Sequence, residues 1–156
     1  FIQRSGIVTA MVGLLQAPPG TRLFDRLRHE NRVTGSISGD NVDGSTNIIP
    51  KMGIEKLLEG YRTIMHHIYS PKYYYRRVKT FLNEFKPPKA TPPMNVQRVL
   101  AFFRSCLKLG IWGRERFHYW KLLGWTLIRR PRLLPLAINL AIYGYHFRKI
   151  CKLYIH

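Results

Sequence analysis

Ile7–Leu27, IVTAMVGLLQAPPGTRLFDRL, changes its period half-way along. Ile7 to Leu15 is a nearly continuous apolar run, too short for a free-standing helix. Such a run suits a strand buried on both faces, as in a parallel sheet. Gln16-Ala17-Pro18-Pro19-Gly20 breaks it, because proline has no amide hydrogen and glycine permits a sharp turn. Thr21 then stands where an N-cap belongs, and Leu23, Phe24 and Leu27 follow at helical spacing. The stretch reads strand, turn, helix. Ahead of it, Phe1–Gly6 reads as the last turn of a helix closed by Gly6.

A strand buried on both faces needs neighbours, and no convincing second strand follows. The expected fold is therefore mainly α: a series of amphipathic helices preceded by one strand-turn-helix unit. The strand's sheet is expected in sequence outside these residues, which begin with Phe1 rather than Met. In this chain alone Ile7–Leu15 should be unpaired, helical by default, or paired with a second copy of itself.

Further along, Thr34–Asn47 (TGSISGDNVDGSTN) is almost all turn formers and reads as a loop. Its Asp40 and Asp43 do not have the spacing of an EF-hand loop. Ile54, Leu57, Leu58, Tyr61, Ile64, Met65 and Ile68 recur on one face of a helix that Gly53 opens and Pro71 stops. Ser70-Pro71 opens the next helix, with Tyr74, Val78, Phe81, Leu82 and Phe85 as its stripe. Lys86–Met94 (KPPKATPPM) is a semi-rigid linker. Two or three basic helices follow. The first is capped by Asn95 and carries Val96, Val99, Leu100, Phe103 and Leu107, with Gly110 at its end. The second runs from Arg114 to Arg129 with Phe117, Trp120, Leu123 and Leu127 inward. The third runs from Pro135 to about Leu153 through Ala137, Leu140, Ala141 and Tyr145. The expected organisation is thus 1–33, a polar loop 34–50, a helical hairpin 51–85, the linker 86–94 and a basic module 95–156.

Charge is unevenly placed. Residues 1–70 hold 8 Lys/Arg against 6 Asp/Glu, whereas 71–156 hold 18 against 2, so nearly all of the formal +18 lies in the second part. A solvated basic exterior or an anionic partner explains that density: an anionic membrane surface first, nucleic acid second. The anion-binding candidates are Arg76, Arg77, Arg129, Arg130, Arg132, Arg148 and Lys149. Tyr73-Tyr74-Tyr75 beside Arg76-Arg77 could stack on bases or simply pack. Two cysteines, Cys106 and Cys151, without CxxC spacing, read as buried thiols of a reducing compartment. The expected location is cytoplasmic, with peripheral membrane contact as the extension of the charge argument. The longest apolar run, Leu133–Phe147, is short of the roughly 20 residues of a spanning helix and holds Pro135 and Asn139.

No catalytic set closes. There is no Gly-rich phosphate loop, no G-x-S-x-G elbow and no H-E-x-x-H. His66-His67 diverge by about 100° on a helix and cannot readily share a metal. Beyond residue 71 only Glu84 and Glu115 could do acid–base work.

The run FIQRSGIVTAMVGLLQAPPGTRLFDRLRHENR resembles the end of the catalytic barrel in cobalamin-binding radical SAM proteins. That family has a strand, an apolar-Pro-Gly-Thr-x-Leu turn and a helix there. NIIPKMGIEKLLEGYRTIMHHIYSPKYYYRRVKTFL and LAINLAIYGYHFRKI resemble the helical C-terminal extension of one branch, a domain of unknown function. The resemblance implies a methyltransferase-like parent with N-terminal cobalamin and radical SAM domains as this segment's partners. Its cofactors would be S-adenosylmethionine, a 4Fe–4S cluster and cobalamin, with none held in this segment. The family's CxxxCxxC and D-x-H-x-x-G motifs are absent here. Ile7–Leu15 would be the last barrel strand. Gln16, Ala17 and Pro18, at its C-terminal rim where barrel active sites sit, would be the cofactor-side candidates; as plain structure they are a turn that aims a helix.

Overall fold

The structure is a computed structural model, and it describes residues 1–39, 43–87 and 96–154. Asp40 of the polar loop, most of the Pro-rich linker and the expected cap Asn95 lie outside the described residues. The chain is mainly α. Among the described residues six helices form: α1 (Arg22–His29), α2 (Ile54–Tyr69), α3 (Pro71–Glu84), α4 (Val96–Ser105), α5 (Arg116–Arg129) and α6 (Leu134–Tyr154). A π-helical segment, Cys106–Ile111, continues α4, and a 3-10 turn, Pro131–Leu133, leads into α6. Among the described residues there is no strand, only an isolated antiparallel bridge between Val33 and Ile48. Among the described residues no helix is long and apolar enough to cross a membrane.

Two compact units divide the chain. The first holds Phe1–Ala10 and Ile68–Lys149; the second holds Met11–His67 and Ile150–His156.

In the first unit, α3 packs against α5 and α6. Pro71 starts α3, where its missing N–H costs no intrahelical bond. Tyr74, Tyr75, Val78 and Leu82 are buried along α3. Tyr74 lies over Gly144 of α6 so closely that a Cβ there would stand 2.2 Å from its ring. Its hydroxyl donates to the Leu140 carbonyl at 2.7 Å. Ala137, Leu140 and Ala141 form the buried face of α6, as its periodicity predicts, and Leu133 of the 3-10 turn is buried ahead of them.

α4 and α5 depart from expectation. In α5 the inward residues are Tyr119, Leu122, Leu123 and Thr126; Phe117, Trp120 and Leu127 face out. In α4 the expected core stripe, Val96, Leu100, Phe103 and Leu107, is exposed. The residue turned inward is Ser105, whose hydroxyl bonds the Phe102 carbonyl at 2.7 Å and the Tyr119 hydroxyl at 2.8 Å. Gly110 does not end a helix. It sits inside the π-helical segment under Trp120, whose Nε1–H donates to its carbonyl at 3.0 Å. A Cβ on Gly110 would lie 2.9 Å from that indole, so glycine permits the close approach.

In the second unit, Thr21 caps α1 by accepting from the Phe24 amide at 3.2 Å, as the sequence predicts. Leu27 is the buried residue of α1. On α2, Tyr61 and Met65 are buried while Ile54 and Ile64, expected on the same stripe, are largely exposed.

Candidate functional site

Residues 7–17 have no regular secondary structure, yet their exposure alternates strictly. Ile7, Thr9, Met11, Gly13 and Leu15 face out; Val8, Ala10, Val12, Leu14 and Gln16 are turned in or half-buried. That is the two-residue period of an extended chain with one covered face, not the two buried faces expected. The strand itself is not formed, because nothing among the described residues offers it a second backbone.

Side chains take the place of a neighbouring strand. In the first unit, Arg77 is fully buried. Its Nε donates to the Ile7 carbonyl at 3.0 Å, Nη2 to the Val8 carbonyl at 3.3 Å and Nη1 to Gln3 Oε1 at 2.8 Å. Burial holds its pKa below the ordinary guanidinium range, with Tyr69 and Tyr74 acting the other way. Tyr69 donates to the Ala10 carbonyl at 2.6 Å and accepts the Ala10 amide at 3.3 Å. In the second unit, the Tyr61 hydroxyl donates to the Val12 carbonyl at 3.1 Å and Thr46 to the Leu15 carbonyl at 2.6 Å. Asn47, 2% exposed, closes the set: its Oδ1 accepts the Ala17 amide at 2.8 Å and its Nδ2 donates to the Ala17 carbonyl at 2.9 Å. Six carbonyls of one short segment are thus satisfied by five side chains. Among the described residues, nothing bonds the N–H or C=O of Thr9, Met11 or Gly13.

The rim candidates divide. Gln16 Nε2 donates to the Ser38 and Ser45 hydroxyls, each at 3.1 Å. Asp43 shapes that loop rather than a metal site: its carboxylate accepts the Ser45 amide at 2.8 Å and the Ser45 hydroxyl at 2.9 Å. Those bonds hold its pKa below the usual carboxylate value. Ala17 is fully buried under Asn47, while Pro18 is exposed. Sequence reasoning missed Asn47, Tyr61 as an anchor, and Glu115. The available signal was that each is a polar group within or beside an apolar pattern, where burial requires a partner.

The basic candidates also separate. Arg129, Arg130 and Arg132 come together in the first unit around a recess of about 250 Å³ that Pro87, Pro131 and Leu133 complete. Arg130 spends its guanidinium on the carbonyls of Phe85 and Asn83, which leaves Arg129 and Arg132 exposed at that recess. Arg76 is exposed beside the Tyr73 ring. Lys149 is exposed. Arg77 is no surface cation, being buried as described. Arg148 is inside as well, ion-paired with the buried Glu115 and lying over the Tyr74 and Tyr75 rings at 5.6 and 5.9 Å. Of Tyr73–Tyr75, the last two are core residues, which rules them out as a base-stacking platform.

The residues present do not fit an iron–sulfur cluster. The chain has two cysteines, Cys106 in the π-helical segment and Cys151 near the end of α6. Among the described residues no three of His, Cys, Asp and Glu gather. What the arrangement can do chemically is present cations and apolar surface, and offer an extended segment.

These features define a basic helical domain with an extended N-terminal arm. A family model described as a domain of unknown function (DUF4070) matches residues 21–156, and the chain belongs to that family. The chain is 26% identical over 154 residues to an uncharacterized methyltransferase of Synechocystis sp., covering 94% of this chain and 28% of that protein. It is 26% identical over 137 residues to the hopanoid C-2 methylase of Rhodopseudomonas palustris, covering 83% of this chain and 25% of that protein. The chain therefore spans little more than a quarter of the length of the curated relatives it matches. No solved structure matches.

Proposed function

We propose that this chain is the C-terminal accessory domain of a cobalamin-dependent radical SAM methylase, and that residues 7–15 are the strand it contributes to the catalytic barrel. The observation that carries the reading is the backbone of that segment. Side chains of Arg77, Tyr69 and Tyr61 hold the carbonyls of Val8, Ala10 and Val12. On the alternate edge the carbonyls of Ile7 and Leu15 are held by Arg77 and Thr46, and the backbone groups of Thr9, Met11 and Gly13 between them would face another partner. Backbone groups of an extended chain seek strand partners wherever water is excluded. The named relatives, a methyltransferase and a methylase, support the reaction class. The S-adenosylmethionine, the 4Fe–4S cluster and the cobalamin would be held by the parent's N-terminal domains. Gln16, Ala17 and Pro18 would then border the barrel rim, and this chain supplies no catalytic residue of its own.

The test uses the intact protein, purified without oxygen. Iron and acid-labile sulfide matching a 4Fe–4S cluster, bound cobalamin and methyl transfer from S-adenosylmethionine are expected. Met11→Pro, which removes an open-edge N–H, should abolish methyl transfer, while Met11→Thr, which keeps it, should not. A protein with neither cluster nor cobalamin, or full activity in Met11→Pro, would sink the reading.

A further inference from the structure

The face of the first unit formed by α4 and the π-helical segment is built inside out. Val96, Leu100, Phe103, Leu107 and Ile111 recur at helical spacing, and all five point to solvent, followed by Trp112 at 80% exposure. The hydroxyl of Ser105 faces the interior instead. A monomeric surface rarely keeps so long a contiguous apolar stripe uncovered.

We infer that this stripe docks on the surface of an anionic lipid bilayer and inserts its side chains at the headgroup–acyl boundary. Charge chooses the occupant. Within 96–154 the single carboxylate residue is Glu115, which is buried against Arg148, so every exposed side-chain charge described there is positive. Arg104, Lys108, Arg114, Arg116 and Lys121 are exposed along α4, the π-helical segment and the start of α5. Apolar side chains on one face with flanking cations and an exposed tryptophan are what an interfacial helix needs. Nucleic acid fits less well: Val96, Leu100, Leu107 and Ile111 are aliphatic and offer no ring on which a base could stack. The inference does not rest on the methylase reading and survives its failure.

The intact protein is mixed with vesicles of pure phosphatidylcholine, or of phosphatidylcholine with one-third phosphatidylglycerol, and sedimented. Binding to the anionic vesicles is expected, weakening several-fold between low and high salt because the cations act through a screened field. The double variant Phe103→Ser/Leu107→Ser should lower the affinity by about tenfold or more, since it removes most of two inserted apolar side chains. Ile128→Ser, at an exposed apolar residue in the last turn of α5 and outside the stripe, should leave binding unchanged. Brominated acyl chains should quench the wild-type fluorescence more than that of Trp112→Phe. Both stripe residues are exposed, and near-ultraviolet circular dichroism verifies that each variant keeps its fold. Absence of vesicle binding, or equal binding by the double variant, overturns the inference. So does acrylamide quenching of the lipid-free protein that Trp112→Phe leaves unchanged, since the Trp112 indole would then already be covered by another part of the protein.

Discussion

Arg77 shows how much one residue's direction decides. It stands next to Arg76 on a basic helix, and a sequence reader counts both as surface cations. Adjacent helical residues point about 100° apart, so Arg76 emerges into solvent and Arg77 enters the core. There it binds two backbone carbonyls and the Gln3 side chain. Arg77→Lys should destabilise the protein by about 3 kcal/mol, because an ammonium cannot reproduce the guanidinium fork and buried acceptors lose their donors. Urea denaturation measures the loss, and the Val8 and Ala10 amides should exchange faster. Gly144 is decided by packing in the same way. Gly144→Ala would drive a methyl into the Tyr74 ring, which its bond to Leu140 prevents from moving aside. A loss of about 3 kcal/mol or more is expected. Gly124→Ala, in open space on α5, should instead be neutral or stabilising by up to about 1 kcal/mol in the same measurement.

Among the elements, the N-terminal arm is held in part by tyrosine hydroxyls. Tyr69→Phe and Tyr61→Phe each remove a phenol from a backbone carbonyl while keeping the ring. Each should cost about 1 kcal/mol. In Tyr69→Phe the Ala10 amide, which the phenol oxygen accepts, should exchange faster while the α5 amides do not; a uniform rise would contradict the anchoring role. The helices show where periodicity works. α1, α3 and α6 were readable because each has one apolar stripe bounded by charge or by a proline. α5 was not. Phe117, Trp120, Leu122, Leu123, Trp125, Leu127 and Ile128 leave almost no polar face, so several rotations satisfy the pattern equally. The choice fell to Tyr119, whose hydroxyl meets Ser105, a pairing between two helices that no single-helix pattern contains. Of the arm, the sequence showed an apolar segment but not its single covered face, and Asn47 and Glu115 were not legible, since their partners come from remote positions.

At the scale of the whole molecule, tyrosine burial sets a pH limit. Burial pushes the phenols of Tyr74, Tyr75 and Tyr119 well above their ordinary value. The unfolded chain releases these protons near pH 10, while the folded chain keeps them. Their contribution is therefore complete below about pH 10 and is lost as pH rises beyond it. Alkaline denaturation should coincide with a cooperative rise in phenolate absorbance.

The sequence alone determined that the chain is mainly helical and strongly basic in its second part. Those properties follow from local periodicity, capping and composition, which need no knowledge of what lies across the fold. Tertiary structure alone decided which arginines reach solvent, which face of α4 and α5 is buried, and what holds residues 7–17. Each of these depends on partners far apart in the chain: Arg77 with Ile7, Arg148 with Glu115, Tyr61 with Val12, Asn47 with Ala17. A buried polar group is stable only with its partner in place, so the assembled packing chose among orientations that the local pattern left equivalent.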